Sequence, residues 1–309
     1  MPPEGVEWKS HDSMLKFEEI LRLCRIMTDL GIRKIKVTGG EPLVRRGTAS
    51  FLKNLKALPG AEKVTITTNG FLLGSFLDEA ETLVPGSLPD SVNISLDAIN
   101  PERFARITGN TDHRPDEILP FIDRLLEKHV TVKINSVPVT GLNEEEIVPL
   151  AALARDRNIA VRFIELMPMG SGAEMKPIPG GEAASLIEKA YGRLTPYAGI
   201  ESNGPAVYYS LPGFTGKIGF INAVTHGFCE SCNRLRLTSE GFLKLCLSYP
   251  LGLDLRDLLR TGATDGKIAV AVTEAVAGKP RFHTLSSVYG APSADIEGKH
   301  SDGMFGIGG

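Results

Sequence analysis

The stretch "IRKIKVTGG", residues 32–40, decides the fold class that this sequence of 309 residues predicts. Polar and apolar residues alternate along it, and its polar positions include Lys34, Lys36 and Thr38. Because side chains two residues apart lie on the same face of a β-strand, the stretch predicts a strand with one polar and one apolar face. The amphipathic stretch "FEEILRLCRIMTDLG" precedes it and predicts a helix.

The same order of helix-like and strand-like stretches recurs through the first half of the chain. Further strands are predicted at residues 63–70, 90–98, 130–139 and 159–168. Amphipathic stretches at 116–129 and 144–157 predict helices before the last two of them. Repeated strand and helix indicate a parallel sheet or barrel, so the predicted fold class is α/β.

Polar residues occupy one face of each of the other predicted strands. They are Thr65, Thr67 and Asn69, then Asn93, Ser95 and Asp97, then Lys133 and Asn135, and finally Arg162. Strands buried on both faces of a parallel sheet are normally almost continuously apolar. The pattern therefore predicts a polar cavity near the carboxyl ends of the strands, filled by a ligand or by water. The water-exposed face of an antiparallel sheet is the alternative.

Composition limits the expected partners. The formal net charge of -3 provides no overall positive field for nucleic acid, so we expect small-molecule partners. No apolar run approaches the roughly 18 residues of a membrane span, and the first residues, "MPPEGVEWKS", lack the apolar core of a signal peptide. We therefore expect a cytoplasmic protein with no membrane partner.

Three of the four cysteines lie in the stretch "FCESCNRLRLTSEGFLKLC", residues 228–246. In a reducing compartment, Cys229, Cys232 and Cys246 predict a metal site rather than disulfides. With His226 they could form a zinc site, whereas three thiolates alone suit a four-iron cluster with one open iron. The spacing does not separate these possibilities. Cys24 falls on the apolar stripe of its predicted helix and is expected in the core.

Two further motifs suggest ligand binding. Arg234 and Arg236 project to the same side of an extended chain, and paired guanidiniums bind phosphate well; a surface pair is the alternative. In "TGGEP", Gly39 and Gly40 allow a ligand to approach the backbone closely. Neither the dinucleotide-binding pattern GxGxxG nor the P-loop pattern occurs, which disfavours a Rossmann dehydrogenase and a P-loop ATPase.

The regular alternation of predicted strands and helices ends after Met169. The stretch "GSGAEMKPIPGG" follows, and then the extended segments "AVYYSL" and "KIGFINAV" lead to the cysteines. We predict a boundary between residues 166 and 181, which gives domains at 1–170 and 171–309.

Six stretches carry a family resemblance: "GIRKIKVTGGEPLVRR", "TTNG", "VNISLDA", "VRFIELMPMG", "FCESCNRLRLT" and the terminal "IGG". Together they resemble the GTP 3',8-cyclase family of molybdenum cofactor biosynthesis, whose members are radical S-adenosylmethionine enzymes. The resemblance spans the whole chain. It implies an incomplete (β/α)6 TIM-like barrel whose N-terminal 4Fe-4S cluster cleaves S-adenosylmethionine, and a smaller C-terminal domain whose second cluster binds the purine.

The resemblance also implies roles for individual residues. The second cluster would be held by Cys229, Cys232 and Cys246. Contacts to S-adenosylmethionine would come from Gly40, Ser95 and Met167. Contacts to GTP would come from Lys36, Thr67, Lys133, Arg234, Leu235 and Arg236. The terminal Gly308 and Gly309 resemble a double-glycine tail that enters the active site. Lys36 stands where the family usually has arginine, so it would bind phosphate as a point charge.

One motif of the family is missing from the sequence. The first cluster of the family is held by CxxxCxxC, directly before a run like "MPxEG", and this sequence begins at "MPPEG". The strand expected before the motif is absent as well, which would leave the edge of the strand near Ile32 unpaired. We therefore expect that the start codon has been assigned too late. Without the motif the chain is expected to bind GTP and one cluster but to turn nothing over.

The resemblance implies a reaction as well. A 5'-deoxyadenosyl radical would remove hydrogen from C3' of GTP, and the carbon radical would attack C8 to give (8S)-3',8-cyclo-7,8-dihydroguanosine 5'-triphosphate. Cyclic pyranopterin monophosphate synthase would act downstream, and a homodimer is compatible with the sequence. The alternatives are a catalytically inactive GTP-binding protein with a single iron–sulfur or zinc site, and a different radical enzyme with a substrate cluster.

Overall fold

The computed structural model describes residues 10–199, 204–225 and 229–280. Its larger sheet contains β1 (Lys34–Val37), β2 (Lys63–Thr68), β3 (Ser91–Ser95), β4 (Thr131–Ser136), β5 (Ala160–Ile164), β6 (Thr195–Pro196), β7 (Val207–Ser210) and β8 (Lys217–Ile221). The smaller sheet contains β9 (Arg236–Leu237), β10 (Phe242–Lys244) and β11 (Gly252–Asp254). The strand orders are β1-β2-β3-β4-β5-β8-β7-β6 and β11-β10-β9.

The helices alternate with the strands of the larger sheet and then follow the smaller one. They are α1 (Phe17–Asp29), α2 (Thr48–Lys56), α3 (Leu73–Thr82), α4 (Pro101–Thr108), α5 (Leu119–Glu127), α6 (Ile147–Ala152), α7 (Gly180–Tyr191), α8 (Leu255–Arg260) and α9 (Asp265–Ala277). In the part of the chain that the structure describes, none of them is long and apolar enough to cross a membrane.

All five strands predicted from the alternating pattern are present. The pairs β1–β2, β3–β4 and β4–β5 are parallel, and β8 also pairs with β5 in parallel. Strands β6 and β7 complete the sheet in antiparallel pairs. The predicted α/β class with a large parallel sheet is therefore confirmed.

Contacts between Cα atoms divide the chain into two compact units. Within the described residues, the first unit comprises 67–75, 90–199 and 204–225, and the second comprises 10–66, 76–89 and 229–280. Strands β6, β7 and β8 lie after the boundary predicted near residues 166–181, but they belong to the first unit and continue the larger sheet beyond β5. The division into domains at 1–170 and 171–309 stays a prediction.

A buried carboxylate stabilises the start of α4 in the first unit. Glu146 is 1% exposed and accepts hydrogen bonds from the backbone nitrogens of Ile99 and Asn100, at 2.6 and 3.1 Å. Arg103 donates to the same carboxylate at 2.8 Å. Burial alone would raise the pKa of Glu146, but these hydrogen bonds lower it below its ordinary value. The loop between β3 and α4 is thereby held in place at the carboxyl end of the strand.

The second unit brings the two ends of the described chain together. Helix α1 contributes Leu23 and Ile26 to a buried cluster that also contains Leu243 of β10, Leu255 and Leu259 of α8, and Ile268 and Val272 of α9. At the rim of this cluster, Arg22 donates to a carboxylate oxygen of Asp265 at 2.7 Å and to the carbonyl of Ala263 at 2.7 Å. The segment that carries the three clustered cysteines is therefore packed on an N-terminal helix.

We expect Leu23→Ala to lower the free energy of unfolding by about 2–5 kcal/mol, because it removes a fully buried side chain and leaves a cavity. Denaturant unfolding followed by circular dichroism measures the change. Leu83 is 77% exposed in the same unit, so Leu83→Ala is the matched control and should change the value by less than about 0.5 kcal/mol. Equal effects of the two substitutions would contradict the assigned core.

Candidate active site

A buried arginine organises the polar face of the first unit. Arg162 of β5 is 7% exposed. Its Nε donates to Oδ1 of Asn135 at 2.8 Å, and a terminal guanidinium nitrogen donates to Oδ1 of Asn93 at 2.6 Å. Because Asn135 lies in β4 and Asn93 in β3, one side chain connects three neighbouring strands. The predicted sharing of one face by these polar residues is confirmed.

A glycine on β8 makes room for this arginine. Gly219 is in register with Arg162 of β5 on one side and with Tyr208 of β7 on the other. A Cβ atom at Gly219 would lie 2.9 Å from the Tyr208 ring and 3.0 Å from Cγ of Arg162, which is closer than packed carbon atoms approach. Burial lowers the pKa of Arg162, and the neighbouring Tyr208 acts in the opposite direction.

Four residues with roles implied by the family resemblance also lie in the first unit. Lys133 is 3% exposed and is in register with Asn93, so it lies in β4 beside the arginine and the asparagines. Thr67, at the end of β2, is buried, whereas Ser95, at the end of β3, is exposed. Met167, which follows β5, is half-buried. The roles of these four residues in binding stay predictions.

Sequence reasoning missed a buried carboxylate directly after β5. Glu165 is 5% exposed and accepts hydrogen bonds from the backbone nitrogens of Val224 and Thr225, at 2.8 and 2.9 Å. The hydroxyl of Thr225 donates to the same oxygen at 3.3 Å. Glu165 thus fixes a turn that lies four residues before Cys229 in the sequence. A carboxylate directly after a strand of mostly apolar residues was the available signal.

The residues assigned near the first predicted strand lie in the second unit. Lys36 is exposed in β1, which is the first strand in the order of the larger sheet. Gly39 has a φ of +149°, a conformation that favours glycine. A Cβ atom at Gly40 would meet no other atom within 4 Å, so its backbone faces open space within the described residues. This geometry leaves room for a ligand at Gly40.

Local structure brings the three clustered cysteines toward one end of the smaller sheet. The backbone nitrogen of Cys232 donates to the carbonyl of Cys229 at 3.0 Å, which closes the CxxC turn. Arg236 of β9 is in register with Lys244 of β10, so the antiparallel ladder leads Cys246 back toward the CxxC end. All three cysteines are half-buried and none is in a disulfide.

Positive charge surrounds these sulfurs. Burial alone would raise the pKa of the Cys232 thiol, but a backbone hydrogen bond and the charge of Arg234, together with the charge of Lys279, lower it below the ordinary value. Burial and the charge of Arg234 lower the pKa of Arg236, while Cys232 and Cys246 act in the opposite direction. The thiolate form of Cys232, which is the form that binds metal, is therefore favoured.

The chemistry of this site suits an iron–sulfur cluster. It combines three free thiols, those of the clustered cysteines, with the positive charges of Arg234 and Lys279. Among the described residues, however, no three His, Cys, Asp or Glu side chains are arranged to hold a single metal ion. His226, the fourth ligand of the predicted zinc site, lies outside the described residues, as do Gly308 and Gly309.

Comparison with known families adds two matches. The profile of the Radical SAM superfamily matches residues 4–154, and the profile described as Molybdenum Cofactor Synthesis C matches residues 159–285. With the parallel α/β sheet and the cysteine-rich segment, these matches define a radical S-adenosylmethionine protein.

Similarity to individual proteins narrows the class from the superfamily to one enzyme family. A GTP 3',8-cyclase of Clostridium perfringens (strain 13 / Type A) is 41% identical over 277 residues, which cover 89% of this chain and 83% of the relative. A GTP 3',8-cyclase of Moorella thermoacetica is 38% identical over 299 residues, which cover 95% of this chain and 90% of the relative. The chain belongs to the GTP 3',8-cyclase family.

We expect Gly219→Ala to destabilise the first unit by about 1–3 kcal/mol, because the added methyl group must displace Arg162 or Tyr208 in a packed region. Thermal or denaturant unfolding measures the loss. Gly181 lies in the same unit, has open space around it and has no positive φ, so Gly181→Ala is the matched control and should not destabilise. The packing assignment fails if Gly219→Ala is as stable as the unaltered protein.

We expect Glu165→Ala to expose the turn at Val224 and Thr225, because two backbone N–H groups lose their acceptor at a cost of about 1–3 kcal/mol. Hydrogen exchange of these two amides should become roughly 5- to 100-fold faster. Glu182 is exposed in the first turn of α7, and Glu182→Ala should leave both exchange rates unchanged. Unchanged exchange in Glu165→Ala would show that the turn does not depend on the carboxylate.

Proposed function

We propose that this protein is a GTP 3',8-cyclase that converts GTP to (8S)-3',8-cyclo-7,8-dihydroguanosine 5'-triphosphate in molybdenum cofactor biosynthesis. The observation that carries the proposal is 41% identity to a GTP 3',8-cyclase over 89% of this chain. The order of the two profiles along the chain supports it, because a radical enzyme segment is followed by a segment specific to molybdenum cofactor synthesis.

The Radical SAM superfamily uses a 4Fe-4S cluster and S-adenosylmethionine, which together supply a 5'-deoxyadenosyl radical when bound. In this chain we assign contacts to S-adenosylmethionine to Gly40, Ser95 and Met167. The open space at Gly40 supports the first of these assignments, since a ligand can approach the backbone there. Cys24 is not a candidate ligand of either cluster: it is buried in α1, and burial raises the pKa of its thiol to about 12.

Cys229, Cys232 and Cys246 are our proposed ligands for a second 4Fe-4S cluster, at which the purine would bind. Two observations support this assignment: the closed CxxC turn and the lowered pKa of Cys232. The family resemblance favours iron over zinc.

The triphosphate of GTP is assigned to the arginines that follow the CxxC turn. Arg234 is exposed and Arg236 is half-buried, and both guanidiniums lie close enough to the Cys232 sulfur for their charges to interact with it. Each offers a planar fork of donors that suits phosphate oxygens and stays charged at neutral pH. Leu235 lies between them in the sequence and is packed against the core cluster of the second unit, so its assignment as a GTP contact follows from the family resemblance alone.

The remaining GTP contacts are assigned to Thr67, Lys133 and Lys36. Lys133 is a buried cation beside Asn93 in the ladder of β3 and β4, so a negatively charged ligand would offset part of its cost of burial. We also propose that Gly308 and Gly309 enter the active site, that the protein is a cytoplasmic homodimer, and that cyclic pyranopterin monophosphate synthase receives its product.

The decisive experiment uses the protein purified anaerobically from its own cell, with its iron content measured first. Incubation with GTP, S-adenosylmethionine and a reductant should yield 5'-deoxyadenosine and the cyclised nucleotide, detected by mass spectrometry. Full iron occupancy without either product would overturn the proposal and favour an inactive GTP-binding protein. If the purified protein contains zinc and no sulfide, the assignment of a second iron–sulfur cluster is wrong.

A separate binding experiment tests the assignment of Arg234 and Arg236 to the triphosphate of GTP. We expect Arg234→Ala and Arg236→Ala each to weaken GTP binding by roughly 10- to 100-fold, the equivalent of about one hydrogen bond to a charged group. Arg236→Lys keeps the positive charge but loses the planar fork of donors. Its affinity for GTP should therefore lie between those of Arg236→Ala and the unaltered protein. Arg193 is exposed in the first unit, and Arg193→Ala should bind GTP as the unaltered protein does. Isothermal titration calorimetry provides the affinities.

A further inference from the structure

Two side chains outside the predicted site contact the sulfurs of the clustered cysteines. The hydroxyl of Ser248 lies 3.3 Å from Sγ of Cys246. The ammonium of Lys279, just beyond the end of α9, lies 3.8 Å from Sγ of Cys232. Both contacts are within hydrogen-bonding range for sulfur, and both lie within the second unit. The sulfurs of Cys246 and Cys232 therefore each have a neighbouring donor.

Ser248 can act only as a donor once the cysteine binds metal. As a thiolate, Cys246 has no proton and can only accept, so the hydroxyl of Ser248 must supply the hydrogen. Ser248 is 2% exposed, which means that water does not compete for this hydroxyl. A buried hydroxyl beside a sulfur is therefore a fixed donor rather than a transient one.

Lys279 holds the same loop at three points. Its ammonium donates to the carbonyl of Cys232 at 3.0 Å and to the carbonyl of Arg234 at 2.8 Å, in addition to its contact with the Cys232 sulfur. An ammonium group has three hydrogens, and these contacts use all three. Lys279 thus orients the backbone that carries the cysteine and the first arginine, and it also places a positive charge against the sulfur.

We propose that Ser248 and Lys279 are positioning residues that orient the thiolates of Cys246 and Cys232 and set the reduction potential of the cluster that these cysteines hold. The inference rests on the proposed second cluster. A cluster gains negative charge on reduction, and hydrogen bonds or positive charge at its sulfurs stabilise that form. Removing either group should therefore make reduction harder.

The experiment measures the reduction potential of the second cluster by a redox titration monitored by electron paramagnetic resonance. The protein is reconstituted anaerobically with iron and sulfide, and both are quantified per chain. We expect Ser248→Ala and Lys279→Met each to lower the ratio of reduced to oxidised cluster by roughly tenfold at a fixed potential, a shift of about 59 mV to more negative values. Lys279→Arg and Ser248→Thr restore a donor and should recover most of the shift.

Matched controls separate this effect from a general loss of stability. Lys267 is exposed on α9, and Ser239 is exposed in the same unit, so Lys267→Met and Ser239→Ala should keep the unaltered potential. If Ser248→Ala and Lys279→Met bind full iron and sulfide but keep that potential too, the inference is wrong and the proposed function stands. If the unaltered protein binds no cluster through these cysteines, the cluster assignment fails and the inference falls with it.

Discussion

A guanidinium buried inside a sheet costs several kcal/mol of stability unless its donors are satisfied. Arg162 donates two hydrogen bonds, to Asn93 and Asn135 on two neighbouring strands, so the parallel register of β3, β4 and β5 is also the arrangement that brings these acceptors to the guanidinium. A slip of one residue in either strand would turn an asparagine to the opposite face. Strand register and the polar face are therefore fixed by one interaction, and Gly219 provides the space that the interaction needs.

Positively charged side chains also determine the properties of the segment that carries the three clustered cysteines. The charges of Arg234 and Lys279 lower the pKa of the Cys232 thiol against the opposing effect of burial. Positive charge beside the sulfur, including that of Arg236, also suits a polyphosphate ligand. Binding of metal and binding of nucleotide would then draw on one set of positive charges, which links the two events physically.

The sequence was sufficient for features that depend on local periodicity. The five strands, the polar residues sharing one face and the buried position of Cys24 all follow from spacing along the chain. Pairing between distant segments was not predictable in this way. Strand β8 pairs with β5 in the larger sheet, although the sequence predicted that the segment containing β8 belongs to a separate domain. Lys279 contacts Cys232, which is 47 residues away in the sequence. Glu165 and Ser248 were missed for the same reason, since a single buried polar residue has no periodic signal.

The contact between α1 and the helices α8 and α9 has a consequence for protein synthesis. Arg22 and Asp265 are 243 residues apart, yet they belong to one packed unit. The ribosome must therefore synthesise the chain beyond Asp265 before this unit can form, and until then the apolar stripe of α1 is uncovered. The contacts of Lys279 with Cys232 and Arg234 likewise form only after residue 279 has been made, so this part of the cysteine segment reaches its final surroundings after α9 has been synthesised.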